Sequence, residues 1–372
     1  MLAYIIRRLL LIPVTLLVIL AITFTVVQFA PGGPVEQIIA EQRGFGEGAT
    51  DRFTGAGGDA GAGTGGANQN GSNSGGYQGS QGIDEEFRKQ LEKQFGFDKP
   101  AHERFFTMVR DYLTFNFGES YFKKRSVVDL VVERLPISIL LGMSMLLLTY
   151  AISVPLGIAK AVRAGSRFDT WSGVVLIVMY AVPSFLFAVV LLQTLAAGSP
   201  FEIFPVRGIE SNGWDGFGIW GRITSLAWWQ DAIMHIALPV LAMMIGAFTS
   251  VTQLTRNYFL EEMTKQYSIT ARAKGLSERG VLYGHVFRNA MIVIIAGLPA
   301  AFVGALFTGS LLIEVVFSID GLGKLGYEAA LNRDYPVMFA TLYIFTLIGL
   351  VLSLVSDMMY AVLDPRIDFE SN

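Results

Sequence analysis

Six long stretches without a charged residue constrain the fold of this chain more than any other feature. The first, residues 9–30, contains 22 residues, which is enough for a helix to cross ~30 Å of hydrocarbon. The other five each hold more than 20 residues and lie between Arg134 and Lys160, Asp169 and Glu202, Asp231 and Arg256, Arg288 and Glu314, and Asp334 and Asp357. Buried helices of a soluble protein do not produce six such stretches with the charges confined to the gaps. The sequence therefore predicts an all-α integral membrane protein with six transmembrane helices in a lipid bilayer.

The composition excludes several classes of function. A net charge of -3 leaves no basic excess for nucleic acid. The chain contains no cysteine, so disulfides and thiolate metal sites are excluded. Its three histidines, His102, His235 and His285, are too far apart in the predicted topology for a catalytic or metal site. The sequence therefore predicts neither an enzyme nor a cofactor-binding chain.

The distribution of Lys and Arg predicts the orientation, because short cytoplasmic loops carry the excess of positive charge. An even number of spans places both termini on one side of the membrane. The short segments on that side hold twelve Lys and Arg residues, against four in the short loops opposite. Both termini are therefore predicted to be cytoplasmic. The first span is expected to be retained, because the apolar region of a cleaved signal peptide is shorter, at ~7–15 residues.

Residues 1–30 are predicted as the first transmembrane helix and residues 31–134 as an extracytoplasmic segment. Within this segment, residues 44–82 consist mostly of Gly, Ala, Ser, Asn and Gln, which bury too little apolar surface to fold, so a disordered insert is expected. Residues 84–111 follow a helical pattern and predict a small helical cap. A short interfacial helix is expected over residues 126–135. Residues 135–363 are predicted as a five-helix core, and residues 364–372 as a cytoplasmic tail.

Prolines within the predicted spans indicate bent helices, since proline removes a backbone hydrogen bond that neighbouring helices can replace. They are Pro155, Pro183, Pro239 and Pro299. Such bends either shape a transport pathway or only allow the helices to pack together, and the sequence does not distinguish the two.

The stretch from Gly321 to Gly326 matches a G-x-G-x-x-G pattern, which can hold a pyrophosphate when it follows a strand and begins a helix. Here it lies in a short loop between two predicted spans, so we interpret it as a turn. No complete G-x-x-x-x-G-K-[ST] sequence occurs, and the chain is therefore expected to lack an ATP site of this kind.

The cytoplasmic loop over residues 257–289 is the most informative segment. Its sequence predicts a helix, a break at Gly275 and a second helix for which Ser277 is a candidate N-cap. Small residues at Ala271, Ala273 and Gly275 would allow another protein to approach closely, with Arg272 and Lys274 supplying charge. These residues fit two interpretations equally well, a docking surface for another protein and an ordinary positively charged cytoplasmic loop.

The motifs of this loop resemble those of permeases from binding-protein-dependent ABC importers, in the oligopeptide and dipeptide branch. Two runs carry the resemblance, residues 270–276 (TARAKGL) and residues 285–290 (HVFRNA). Further matches occur along the chain at YIIRRLL (4–10), RLP (134–136), GLG (321–323), RDYP (333–336) and DPR (364–366). The sequence APGGP (30–34), the glycine-rich insert and the C-terminal run look most like the microcin C-type peptide permeases.

The resemblance implies a type I permease fold in the bacterial inner membrane, importing peptides or peptide-like compounds. It also implies a second permease subunit, two ATPase subunits that bind ATP and magnesium, and an extracytoplasmic solute-binding protein. The residues implied to couple this chain to the ATPase are Thr270, Ala271, Arg272, Ala273, Lys274, Gly275, Leu276 and Arg288. One departure is Ile269, which stands where the wider family places a glutamate.

Two other classes remain open from the residues alone. A standalone secondary carrier would usually need ionisable groups near the middle of the membrane, and the spans contain few. A membrane scaffold would have no particular need for the break at Gly275.

Overall fold

The computed structural model describes residues 2–29, 99–211, 214, 221, 224–305 and 310–363, and these are mostly helical. The predicted insert at 44–82, the first part of the predicted cap at 84–98 and the tail at 364–372 lie outside the described residues. The helices are α1 (Leu2–Phe29), α2 (Ala101–Leu113), α3 (Val127–Val162), α4 (Arg167–Ala181), α5 (Ser184–Leu195), α6 (Leu226–Thr264), α7 (Gln266–Ala273), α8 (Glu278–Val281), α9 (Phe287–Ala296), α10 (Leu298–Gly304), α11 (Ser310–Val316), α12 (Leu322–Leu331) and α13 (Tyr335–Leu363). One π-helical turn, Leu282–Val286, joins α8 to α9.

Among the described residues, five helical segments are long and apolar enough to cross a membrane. They are α1, α3, α6, α13 and the run Glu278–Gly304. A sixth is formed if α4 and α5 are taken together. The prediction of an all-helical membrane protein with up to six spans is thus confirmed.

The third predicted span is a broken helix. The axes of α4 and α5 meet at 95°, and the break falls at Val182 and Pro183. Both residues have extended backbones, and proline disfavours helical geometry in the residue before it. By contrast, Pro155 and Pro239 lie inside the continuous helices α3 and α6. The proline at 183 therefore ends a helix, whereas these two are accommodated within one.

The expected short helix over residues 126–135 is confirmed as helical from Val127 onward, and it is the first part of a longer helix rather than a separate element. Helix α3 begins at Val127 and continues without interruption to Val162. Pro136 lies at the junction with the second predicted span, but it is accommodated inside this continuous helix.

Two compact units make up the structure. The larger comprises Met1–Leu16, Val131–Tyr327 and Thr341–Asn372, and the second comprises Leu17–Leu130 and Glu328–Ala340. In the larger unit α6 is the central helix, and its buried residues form a core with those of α3, α5 and α11. In the second unit, Phe24 packs against Phe105 of α2, and Arg104 donates a hydrogen bond to Gln28. Asp334 accepts hydrogen bonds from the Ser120 hydroxyl and the Tyr121 backbone N–H.

Candidate functional site

The short helix α7 follows α6 after a single residue. Helix α6 ends at Thr264 and α7 begins at Gln266, and the intervening Lys265 has an extended backbone with φ -68° and ψ 151°. An extended residue between two helices turns the chain sharply, so α7 leaves the axis of α6. It occupies the middle of the loop that the sequence identified as a candidate docking surface.

Polar contacts fix this turn. Lys265 forms ion pairs with Glu261 and Glu262, and the Tyr267 hydroxyl donates a 2.6 Å hydrogen bond to Glu262. The hydrogen bond to Glu262 raises the pKa of Lys265, while burial, followed by the Glu262 contact, raises the pKa of Tyr267. Lys265 is therefore charged and Tyr267 neutral at physiological pH.

One face of α7 is buried within the chain. Ser268 and Ala271, which are three residues apart and share a helix face, are 0% and 7% exposed. Ala271 belongs to an apolar cluster with Ile158 and Ala161 of α3 and Phe259 of α6. The small side chain at 271 thus allows α7 to approach its own protein closely.

The break at Gly275 is a Schellman turn. The Gly275 N–H donates to the Arg272 carbonyl at 2.9 Å and the Leu276 N–H to the Ala271 carbonyl at 3.3 Å. Gly275 has φ +84°, a conformation that strains residues with a side chain. Ser277 then caps α8, accepting a hydrogen bond from the Gly280 N–H at 3.2 Å. The predicted break and N-cap are both confirmed.

Arg272 connects three parts of the loop. Its Nε atom faces both carboxylate oxygens of Glu278, and its Nη1 atom donates a 3.2 Å hydrogen bond to the Met263 carbonyl near the end of α6. This guanidinium therefore links α6, α7 and α8 within the chain.

The remaining residues of α7 and its turn form an exposed strip, which we call the α7 outer surface: Ile269, Thr270, Ala273, Lys274, Gly275 and Leu276. Ile269 is 48% exposed and Leu276 40% exposed, although both are apolar. Arg288, the last predicted coupling residue, is also exposed, but it lies on α9 beyond the π-helical turn. The surface thus combines apolar side chains with one lysine. Exposed apolar residues grouped in this way are typical of a protein-binding surface.

The glycine-rich stretch at Gly321–Gly326 holds a carboxylate of the same chain. Glu314 is fully buried, and its carboxylate accepts hydrogen bonds from the Ser138 hydroxyl at 3.0 Å and the Lys324 N–H at 2.8 Å, beside the first turn of α12. A Cβ atom at Gly321 would lie 2.4 Å from this carboxylate. Glu314 therefore occupies the position where a helix N-terminus could bind a phosphate. The interpretation of the motif as a turn is wrong for most of its length, because α12 begins at Leu322 and includes the rest of the motif.

The histidines do not form a joint site. His102 and His285 are exposed, whereas His235 is buried on α6, with its Nδ1 atom 2.8 Å from the Asp231 carbonyl. Within the described ranges, no three His, Asp or Glu side chains are placed to hold a metal ion.

Comparison with known proteins places these features in context. The family model for the "binding-protein-dependent transport system inner membrane component" matches residues 153–369. The peptidoglycan transport system permease protein YejB of Agrobacterium fabrum is 53% identical over 368 residues, covering 99% of this chain and 98% of that protein. The inner membrane ABC transporter permease protein YejB of Escherichia coli O157:H7 is 53% identical over 372 residues, covering 99% of each chain. The oligopeptide transport system permease protein AppB of Bacillus subtilis is 30% identical over 288 residues, covering 77% of this chain and 87% of that protein.

Proposed function

Because this chain belongs to the family of binding-protein-dependent transport system inner membrane components, we propose that it forms one half of the pore of an ABC importer. It is a permease subunit of the peptide-transport type, without an ATP site of its own. A second permease subunit completes the pore. Two ATPase subunits supply the energy, and an extracytoplasmic solute-binding protein delivers the substrate.

The proposed substrates are peptides and peptide-like compounds, including those of the microcin C type. The name of one relative refers to peptidoglycan transport and that of another to oligopeptide transport, and both fit a peptide-containing substrate. Mass spectrometry of the ligand retained by the purified solute-binding protein would identify the compound. A retained sugar or metal ion without a peptide bond would contradict this assignment.

The α7 outer surface is proposed as the site where the ATPase docks. The observation that supports this most is the division of α7 into a buried face anchored through Ala271 and an exposed face containing Ile269 and Leu276. A helix anchored on one side and apolar on the other can transmit the movement of a partner into the bundle. The wider family's glutamate would form a polar contact at position 269, whereas Ile269 would make an apolar one.

Both termini and the α7 loop are proposed to face the cytoplasm. The bias of Lys and Arg toward this side supports the orientation. In this arrangement the ATPase binds on the cytoplasmic side.

Co-purification with the ATPase tests this function. Ile269→Asp and Lys274→Glu each alter the α7 outer surface and should reduce the amount of ATPase that co-purifies from membranes. Lys124→Glu is the matched control, because the same charge change falls on an exposed residue of the segment 31–134, which is predicted to be extracytoplasmic. Unchanged co-purification and transport in both α7 variants would contradict the docking proposal. Uptake by the chain alone in liposomes would instead indicate a standalone carrier.

A further inference from the structure

A buried ionic cluster joins three helices at the end of the larger unit that carries α7. The Asp169 carboxylate of α4 pairs with Arg256 of α6 through two contacts, Nε to Oδ1 at 2.8 Å and Nη2 to Oδ2 at 2.7 Å. Its Oδ1 atom also lies 3.1 Å from the Nζ atom of Lys160, near the end of α3. One carboxylate therefore connects α3, α4 and α6.

Lys160 is 1% exposed, and a charged group so deeply buried is costly unless it is fully paired. Its Nζ atom donates to the Asp169 carbonyl and to the Ser172 hydroxyl, both at 2.7 Å, and faces the Asp169 carboxylate. These three partners match the three hydrogens of the ammonium group. The group is thus held in one place, as a structural joint requires.

Direct packing brings the same helices together. At Gly157 of α3, a Cβ atom would lie 2.6 Å from the Cβ of Thr255 and 2.8 Å from the Thr252 carbonyl of α6. The Ser153 hydroxyl of α3 donates to the Phe248 carbonyl at 3.1 Å. Helices α3 and α6 therefore touch backbone to backbone at this level, which leaves little room for independent sliding.

Helix α4 is tied to α6 at a second point, and α7 is tied to α3. The Thr249 hydroxyl of α6 donates to the Leu176 carbonyl of α4 at 3.0 Å. Ala271 of α7 packs with Ile158 and Ala161, which lie in the last turns of α3 beside Lys160. Displacement of α7 must therefore act on α3 as well as on α6.

We propose that Asp169, with Lys160 and Arg256, makes the adjoining ends of α3, α4, α6 and α7 one rigid transmission body. A displacement of α7 then moves the turn between α3 and α4 directly. Through α4 it also moves the 95° bend that leads into α5. The three residues are positioning residues, since they act by holding helices. The inference rests on the proposed function only for the identity of the partner that moves α7.

A distance measurement tests the rigid body directly. The chain lacks cysteine, so spin labels can be attached at Ala164→Cys, in the turn after α3, and Gln266→Cys, at the start of α7. Both residues are exposed and lie outside the α7 outer surface. In the otherwise unaltered chain, pulsed electron paramagnetic resonance should give one narrow distance that is the same in the nucleotide-free and ATP-bound transporter. Asp169→Asn should broaden this distribution or add a second distance.

Matched variants separate the joint from general stability. Asp357→Asn removes the carboxylate of another ion pair in the larger unit, which Asp357 forms with Arg8 at 2.9 Å, and should leave the distance narrow. Arg256→Gln removes the ion pair between α6 and Asp169 but keeps the Lys160–Asp169 pair. It replaces Asp169→Asn as the test variant if Asp169→Asn does not accumulate in the membrane. The proposal is overturned if both cluster variants retain the original distribution, or if the unaltered chain changes distance between nucleotide states.

Energy coupling gives a second readout. In the reconstituted transporter, Asp169→Asn should raise the number of ATP molecules hydrolysed per peptide imported by about twofold or more, while Asp357→Asn leaves the ratio unchanged. Loss of hydrolysis and import in proportion would contradict a positioning role. If the unaltered complex neither hydrolyses ATP nor imports peptide, the proposed function fails, whereas the label distance in the purified chain still decides the question of rigidity.

Discussion

Arg272 holds Glu278 through both carboxylate oxygens, with its Nε atom at 3.0 Å and 3.2 Å. The pair closes the Schellman turn from outside and joins α7 to α8. Its two side chains are 34% and 76% exposed, so solvent weakens their attraction. The pair therefore shapes the loop more than it stabilises the protein.

Arg272→Ala should loosen the loop without unfolding the protein. The free energy of unfolding is expected to fall by less than about 1 kcal/mol, as for other exposed ion pairs. Amide hydrogen exchange over residues 274–281 should become faster, because the link from Met263 to Glu278 is lost. Arg279→Ala is the control, since it removes a neighbouring exposed arginine without breaking that pair. Equal exchange rates in the two variants would contradict this role.

Gly275→Ala should destabilise the turn by about 1–2 kcal/mol, the cost of a side chain in the left-handed region. Space is not the cause, because nothing lies within 4 Å of the added Cβ. Gly284→Ala in the π-helical turn, an equally open position without a positive φ, is the matched control. Thermal unfolding of the purified chain measures both. A loss of stability in both variants would rule out the backbone explanation.

Gly321→Ala should be far more damaging, because the new Cβ would overlap the buried Glu314 carboxylate at 2.4 Å. Forcing extra volume into a packed site costs about 1–3 kcal/mol, and here the displaced group would also lose hydrogen bonds from Ser138 and Lys324. Gly326→Ala in the same motif meets only the side chain of Thr341, with its nearest atom at an ordinary 3.5 Å, and should be tolerated. Membrane yield and thermal stability should separate the two variants clearly. Similar behaviour would show that Glu314 moves aside.

Asp334 should make the stability of the second unit depend on pH in an unusual direction. Burial raises the pKa of this carboxyl above its ordinary value of 3.8, although hydrogen bonds from Ser120 and Tyr121 oppose the shift. The folded state then binds the proton more tightly than the unfolded state, so this stabilising contribution is complete below 3.8 and is lost as the pH rises through the raised pKa.

Asp334→Asn provides the comparison for that prediction, because the amide keeps an accepting oxygen but does not titrate. The stability of the unaltered chain relative to this variant should decrease as the pH rises above about 4 and through the raised pKa. Chemical denaturation at several pH values measures this difference. A difference that grows with pH would show that the carboxylate form is the one favoured by folding.

Much of this fold could be predicted because the bilayer demands long uncharged helices. The stretch between Asp231 and Arg256 identified α6, and the position of Gly275 identified a turn whose backbone only glycine adopts without strain. The 95° bend was harder to predict. Proline at 183 ends a helix locally, but the direction of the next helix depends on packing against distant residues.

The inward orientation of Ala271 was also missed. A helix of 8 residues is too short for its periodicity to reveal which face is buried, so a small side chain could indicate either close contact with a partner or close packing within the chain. The ionic cluster of Lys160, Asp169 and Arg256 was even harder to predict from the sequence. Asp169 and Arg256 are 87 residues apart, and the sequence presents them only as charges at the ends of two spans.

Because only Lys265 separates α6 from α7, α6 can act as a lever that moves with α7. Helix α6 contains 39 residues, a length of about 58 Å at 1.5 Å per residue. With α7 fixed to its end, a tilt of about 5° around the midpoint of α6 would displace α7 sideways by about 2.5 Å. A sideways movement of that size at the protein surface can therefore produce a small rotation of α6 within the membrane. Close packing of the helices prevents larger movements there.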